Sequence, residues 1–589
     1  MTESEAHRKG LFAATLGALV GVIPPFGAEP EGATMHALRD ELARSMAELR
    51  MDGMPAPYFI AYTVVDADTI ETGASFGALL PTTESRSRRL QVELRVGEPA
   101  FDNTNYRDRS FLPTRAQTRT LPLADDYQEI RRQTWLATDA AYKQALEMLA
   151  KKRAVLQNET RSEDVADFHA QEPSSHFEEP DTSALPVAEV RDLVRQASSV
   201  FVDMPLVYNS TVNATLSNRH ITYVNSEGTA FTRSDPHAAV WVRARTQAED
   251  GAVVDDFAAV HGRHWDEVDR DGLLASAREV GENVAARRAA PDLTRYTGPV
   301  LVTGQAAAEL FAQAVMPRLL GKRAPDMTPQ FRRFGASRNP FLDKLGGRVL
   351  PRLLTVVDDP TIAAADGFLG GFPVDDDGVP AAPTTLVERG ILRTLLSTRN
   401  PVPGVDASTG NRRGAGPLPS NLLVTTARGL APADLNEEFA QLVAEWGTEY
   451  GVVVHRLGNP SVSQDGASTA RMIVLGASQE TSVEGVTLAY KVFADGRREL
   501  IRNAEFTALS EAAFKDIVAV SEAPNVYTMS YDASDFPSFS FSGVPAPGTP
   551  RITISIPDLL FEELTLRKPS ENIPRPPVAG HPYFDDERG

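Results

Sequence analysis

From Gly298 to Leu566 the chain is written in short apolar runs separated by Gly, Pro and Asp, with little helical periodicity between them. Apolar runs of about four to eight residues bounded by such breakers fit strands and are too short for stable helices. This half of the chain must therefore fold around β-sheet. A second β signal lies upstream, where His220-Ile221-Thr222-Tyr223-Val224 and Ala239-Val240-Trp241-Val242-Arg243-Ala244 alternate and Asn225-Ser226-Glu227-Gly228 carries turn chemistry. Residues 206–260 are expected as an antiparallel meander. A helix over Asp271–Arg287 should follow, with Leu273, Leu274, Ala277, Val280 and Val284 on one side.

The amino-terminal part reads differently. Helical spacing marks Met35–Arg50, Asp125–Lys152 and Val187–Ser199, while Tyr58–Val65 and Leu90–Val96 are rich in β-branched and aromatic residues and read as strands. At 589 residues, and at about 150 residues per domain, the chain is multidomain. The expected organisation is a leader at 1–28, an α/β domain at 29–157 and an acidic Ser- and Pro-rich connector at 158–186. A central region with the meander and a helix then occupies 187–297, a mainly β domain 298–566, and a Pro-rich tail 567–589. The fold class is α+β, an N-terminal α/β layer followed by a mainly antiparallel β C-terminal domain.

Composition narrows function by exclusion. A formal charge of −20 repels phosphate backbones, so no nucleic-acid partner is expected. Cys is absent, which removes disulfides, thiolate ligands and cysteine nucleophiles together. Any metal site must come from carboxylates and ten His. His7-Arg8-Lys9 followed by an apolar run from Gly10 to Ala28 has the layout of a secretory signal. Export to a periplasmic or extracellular compartment is expected, with a cytoplasmic location as the alternative, and no membrane span in the mature chain.

Pro299-Val300-Leu301-Val302 reads as a buried strand, and Thr303-Gly304 should cap a helix from Gln305 to about Leu320. With the blocks Leu354-Thr355-Val356-Val357-Asp358-Asp359-Pro360, Pro373-Val374-Asp375-Asp376-Asp377-Gly378, Thr385-Leu386-Val387-Glu388-Arg389-Gly390 and Ser408-Thr409-Gly410-Asn411-Arg412-Arg413, in that order, this segment resembles the TldD/PmbA family of metallopeptidase-related proteins. The resemblance implies a TldD/PmbA-like fold and a zinc motif His-Glu-x-x-x-His on that helix. Aligned with it, Ala312 stands at the first His, Gln313 at the catalytic Glu and Pro317 at the second His. Zinc hydrolysis needs lone-pair ligands, an open water position and a carboxylate base. None of the three residues supplies these, and Pro317 should end or kink the helix. The family also draws a metal ligand from a C-terminal Cys, which this chain lacks.

The expectation is therefore a catalytically inactive, TldE-like paralogue without a zinc cofactor. It would bind extended peptide or partner an active TldD-like metallopeptidase subunit, since the family pairs such subunits. One alternative is an active metallopeptidase using unconventional ligands, for which His261 and His264 in His261-Gly262-Arg263-His264 are the weak candidates. The other is a structural homodimer with no peptide cleft. If peptide binding survives, Arg399, Asn411, Arg412, Arg413, Ser420 and Asn421 are the residues placed to grip a peptide carboxylate or backbone, with internal ion pairing as their competing role. Asp375-Asp376-Asp377-Gly378 lacks the spaced carboxylates of an EF-hand and reads as an acidic turn. Arg551–Leu566 reads as a late strand that either completes the core or forms a dimer edge.

Overall fold

The computed structural model describes residues 32–107, 117–157, 161, 163–327, 338–364, 367–462, 483–507, 509, 512–531 and 545–569. The expected leader, and the tail from Ser570 onward, lie outside the described residues. The amino-terminal part is built from α1 (Ala33–Glu48), β1 (Pro57–Ser75), β2 (Thr83–Glu98), α2 (Tyr127–Leu156), α3 (Val187–Ser199), β3 (Asn209–Asn225), β4 (Ala230–Ser234), β5 (His237–Gln247), β6 (Val253–Gly262) and α4 (Arg270–Ala289). The strands form one sheet in the order β6-β5-β3-β1-β2, with β4 also pairing β3.

Because successive strand residues point to opposite faces, β1 divides its side chains by parity. Ile60, Tyr62 and Val64 pack under α1 and α2. Farther along the same face, Ile70 and Ala74 pack under α3 and α4. The opposite face presents Phe59 and Ala61 with Ile221 and Tyr223, and these bury against Phe168 and Val374. One sheet is thus covered by helices on one side and by the rest of the chain on the other.

This architecture corrects the expected domain division. β1 pairs with β3 over fourteen residues, from Ala61↔Asn225 to Ala74↔Val212, so the segments 29–157 and 187–297 share a sheet. The described residues of the connector, 161 and 163–186, are also part of the fold. Asp167 and Phe168 are buried, and Ser175–Phe177 adds a short parallel strand beside β4. The acidic, Pro-rich composition suggests a solvated linker, but its buried Asp167 is neutralised from a distance. Asp167 takes Lys152 Nζ at 2.6 Å and Arg323 Nη1 at 3.0 Å.

The second sheet comprises β7 (Arg295–Val302), β8 (Leu354–Asp358), β9 (Thr384–Glu388), β10 (Asn421–Thr426), β11 (Tyr450–Leu457), β12 (Val486–Phe493), β13 (Ile517–Ser530) and β14 (Arg551–Arg567) among its strands, with helices α5 (Gly304–Ala314) and α6 (Pro432–Trp446). The order β9-β8-β10-β14-β7-β11-β12 places the last described strand in the middle, with β13 pairing it as well. Only β7 with β11 and β10 with β14 run parallel along that order. β14 is buried on both faces. Ile552, Ile554 and Ile556 enter the large core that includes α5, while Leu560 meets Leu435 and Phe439 of α6. Of its two expected roles, core completion is the one observed.

Truncating β14 should therefore be costly. Ile554→Ala or Leu560→Ala is expected to lower the unfolding free energy by about 2–5 kcal/mol, whereas Val526→Ala, at an exposed position of β13, should change it by less than about 0.5 kcal/mol. Chemical denaturation of the three variants checks the contrast.

Candidate functional site

The helix expected to carry catalytic chemistry is α5, entered directly from β7. Ala306, Ala307, Ala308, Leu310, Phe311, Ala312 and Ala314 are all buried, so nearly the whole circumference packs into the core. Three polar residues interrupt it. Gln305, Glu309 and Gln313 are four apart and share one face. Gln305 exchanges two bonds with the Leu457 backbone, donating at 2.9 Å and accepting at 2.9 Å. Gln313 Nε2 donates to Gly458 O at 2.8 Å and to Glu309 Oε2 at 2.9 Å, while its Oε1 accepts from Glu484 N at 2.8 Å. Glu309 Oε1 accepts from Asn459 Nδ2 at 2.7 Å and from Tyr527 OH at 2.8 Å. The stripe stitches the helix to the chain just past β11.

Both helix ends have identifiable causes. The expected Thr303 cap is not used, because its Oγ1 lies 2.7 Å from His455 Nδ1. The cap comes instead from Asp558 on β14, whose Oδ1 accepts from Gly304 N at 2.9 Å. At the other end α5 stops at Ala314, and a separate four-residue turn, Met316–Leu319, carries Pro317 at its start. The break falls where a proline removes a donor and crowds the preceding turn.

Burial pushes the Glu309 carboxyl up to about 7. The same burial, with the Glu309 charge second, holds the Tyr527 phenol well above its usual range. Asn459 and Tyr527 also border a narrow space between the two sheets, whose other wall includes Trp241, Phe257 and His261. That space measures about 10 Å³, roughly the minimum for a single water.

Residues 295–566 match the model of the PmbA/TldA metallopeptidase C-terminal domain. This part of the chain is a TldD/PmbA-family C-terminal domain. Among curated relatives, a metalloprotease of Methanocaldococcus jannaschii is 44% identical over 77 residues, 13% of this chain and 16% of its own length. A metalloprotease of Methanothermobacter thermautotrophicus is 27% identical over 271 residues, 45% of this chain and 54% of its own length. The chain thus spans about half or less of these relatives. A proposed modulator of a DNA gyrase from Thermotoga maritima is similar in structure with a TM-score of 0.57 at 15% identity, covering 90% of this chain and 100% of that one. TldE from Thermococcus kodakarensis has a TM-score of 0.54 at 14% identity, covering 90% and 99%. At such identities the likeness is one of fold, an α/β sheet layer followed by a β-rich C-terminal domain.

The family's zinc chemistry can be tested against the residues at the aligned positions. Ala312 is buried and has no lone pair, the Gln313 amide is engaged at both ends, and Pro317 is exposed. Among the described residues no group of three or more His, Cys, Asp or Glu is arranged to hold a metal ion. These positions do not fit zinc. His261 and His264, the weak candidates, are not brought together. His261 stacks on His237 across neighbouring strands at 5.6 Å between centroids, with a ring nitrogen separation of 3.3 Å, whereas His264 Nδ1 lies 3.4 Å from Asp181. Burial, with the Arg551 charge second, lowers His261 to about 3 and also depresses His237. The pair is neutral at physiological pH.

The six residues expected to grip a peptide do gather in one region, but as internal fasteners. Arg399 is buried over Phe168 at 4.1 Å, donates Nε to His169 O at 3.0 Å and pairs with Glu227 at 2.5 Å. Asn411 Nδ2 and Ser420 N both donate to the Asp358 carboxylate, each at 2.7 Å. Arg412 bridges Glu93 and Asp377 at 2.9 and 2.5 Å. Arg413 donates to Arg551 O, and Asn421 ties Asp359 O to Gly370 N. These contacts are those of the competing role, internal ion pairing and backbone support. The acidic turn is observed as expected, with Asp375 Oδ1 accepting from Asp377 N and Val379 N at 2.9 Å. Sequence reasoning missed Glu309, Asn459 and Tyr527. Its available signal was the four-residue spacing of Gln305, Glu309 and Gln313 in an otherwise apolar helix.

The Glu309 carboxyl is raised from 4.5 to about 7 in the folded state. Its stabilising contribution is therefore present below the unfolded value and lost as pH rises through about 7. The stability of the natural protein relative to Glu309→Gln should fall between about pH 5 and pH 8. Thermal midpoints of both proteins across that range check this, and parallel profiles would contradict it.

Proposed function

We propose that this chain is a non-hydrolytic, zinc-free member of its family that works as the partner of a catalytic subunit bearing His-Glu-x-x-x-His. The observation that supports this reading is Gln313. At the position aligned with the catalytic carboxylate, its amide is bonded on one side to Gly458 O and Glu309 and on the other to Glu484 N. A side chain held this way neither binds a hydrolytic water nor accepts its proton. Partnering is favoured over direct capture of extended peptide because the residues expected to grip a peptide make internal contacts. The similarity to a TldE structure agrees with this role.

The test combines two measurements on the full chain. Alone, it should release no products from unstructured peptides, with zinc or chelator making no difference. Mixed with a zinc-motif family member from the same source, it should form a defined hetero-oligomer on analytical gel filtration. Chelator-sensitive peptide cleavage by this chain alone would overturn the reading, as would failure to associate with every such family member of that source.

A further inference from the structure

β1 and β3 are long enough to carry two helix pairs on one face, α1 and α2 over one end and α3 and α4 over the other. Between these pairs the sheet is uncovered, and a trough of about 670 Å³ lies there, within the range of small-molecule sites. Its floor is three strands wide. Asp66 is the ladder partner of both Arg88 and His220, and Asp68 of both Arg86 and Asn218. The segment following Phe177 forms one wall, contributing Glu178, Glu179 and Asp181.

The lining is unbalanced in charge. Five carboxyl groups face two guanidiniums, and both guanidiniums are already taken. Arg88 pairs with Asp66 at 2.6 Å and with Asp125 at 2.8 Å, and Arg86 with Asp68 at 3.4 Å. Burial lowers the proton affinity of His220, so its ring adds no positive charge at neutral pH. What remains unused are acceptors. The Glu179 backbone carbonyl accepts from Ser234 Oγ at 2.9 Å, but its carboxylate makes no hydrogen bond or ion pair among the described residues. Asp181 Oδ2 has no hydrogen bond and only His264 at 3.4 Å. The third is the hydroxyl of Thr222, a residue only 6% exposed that lines the trough and has no hydrogen-bond partner for its side chain among the described residues.

We propose that this trough binds an organic cation, a primary ammonium or guanidinium group on a flexible stem, supplied by a free polyamine or by a basic side chain of a peptide. Such groups carry only donors and so match a wall that offers unpaired acceptors under a net negative potential. A bare metal ion fits poorly, because no three potential metal ligands converge among the described residues and the trough is far larger than an ion. The site faces away from α5 and does not depend on the proposed partner role.

Titration calorimetry of the full chain at low salt provides the test, with spermidine, a short Lys-rich peptide and uncharged 1,8-octanediol as probes. Glu179→Gln combined with Asp181→Asn removes two wall charges. A control, Glu437→Gln with Glu438→Gln on the exposed face of α6, removes the same charge elsewhere. The expected result is saturable binding of one spermidine or peptide per chain, weakened about tenfold by the wall variant and unchanged by the control, with no octanediol bound. The tighter of the two charged probes identifies the source of the cation. Equal weakening in both variants would mean general attraction to an acidic protein and would overturn the proposal. Absence of saturable binding, or equal binding of octanediol, would overturn it too.

Discussion

The ring of Phe168 holds the two halves of the molecule in register. The Arg95 guanidinium from β2 lies 3.9 Å from its centroid and the Arg399 guanidinium from the C-terminal half 4.1 Å, while Phe59 of β1 packs at 4.8 Å. Arg95 also reaches Asn400 at 2.9 Å. Desolvated contacts of this kind are worth about 2 kcal/mol each, but their position matters more than their size. They close the second face of the amino-terminal sheet, which would otherwise expose Ile221, Tyr223 and Phe231. A sheet with two apolar faces needs two covers. The helices provide one and the C-terminal half provides the other.

Within that frame α5 survives as architecture. Its small and apolar residues fill the centre of the larger core. Its polar stripe faces the segment after β11, where each side chain is used to fix backbone or a buried carboxyl. A residue that binds metal or activates water must keep a lone pair or a proton site free toward the substrate. The α5 stripe instead spends those groups on the protein itself, as the proposed non-hydrolytic role requires.

Local signals were readable in the sequence, and distant ones were not. Helix α3 was expected at Val187–Ser199 and is observed with those bounds, because its amphipathic face is self-evident in the pattern. The break near Pro317 was readable for the same reason. The cap of α5 was not, since Asp558 is supplied from a strand 254 residues away. β1 was expected to end near Val65 but runs to Ser75, because Asp66, Asp68 and Glu71 look like loop residues until Arg88 and Arg86 are known to stand opposite. The acidic connector was misread on the same ground, its buried Asp167 depending on Lys152 and Arg323. The neighbour of His261 was not readable either, since the ladder sets His237 beside it from another strand. In each case a charged or polar residue was judged by its neighbours in sequence when its partner came from elsewhere in the fold.

If structure has replaced the zinc site, as proposed, metal stoichiometry reports it most directly. Untagged protein, incubated with zinc and passed through gel filtration, would be analysed by elemental mass spectrometry. The account predicts a zinc content near zero per chain, unchanged between natural protein and a Gln313→Ala variant. A content near one zinc per chain would contradict it and would require a ligand set outside the positions aligned with the family motif.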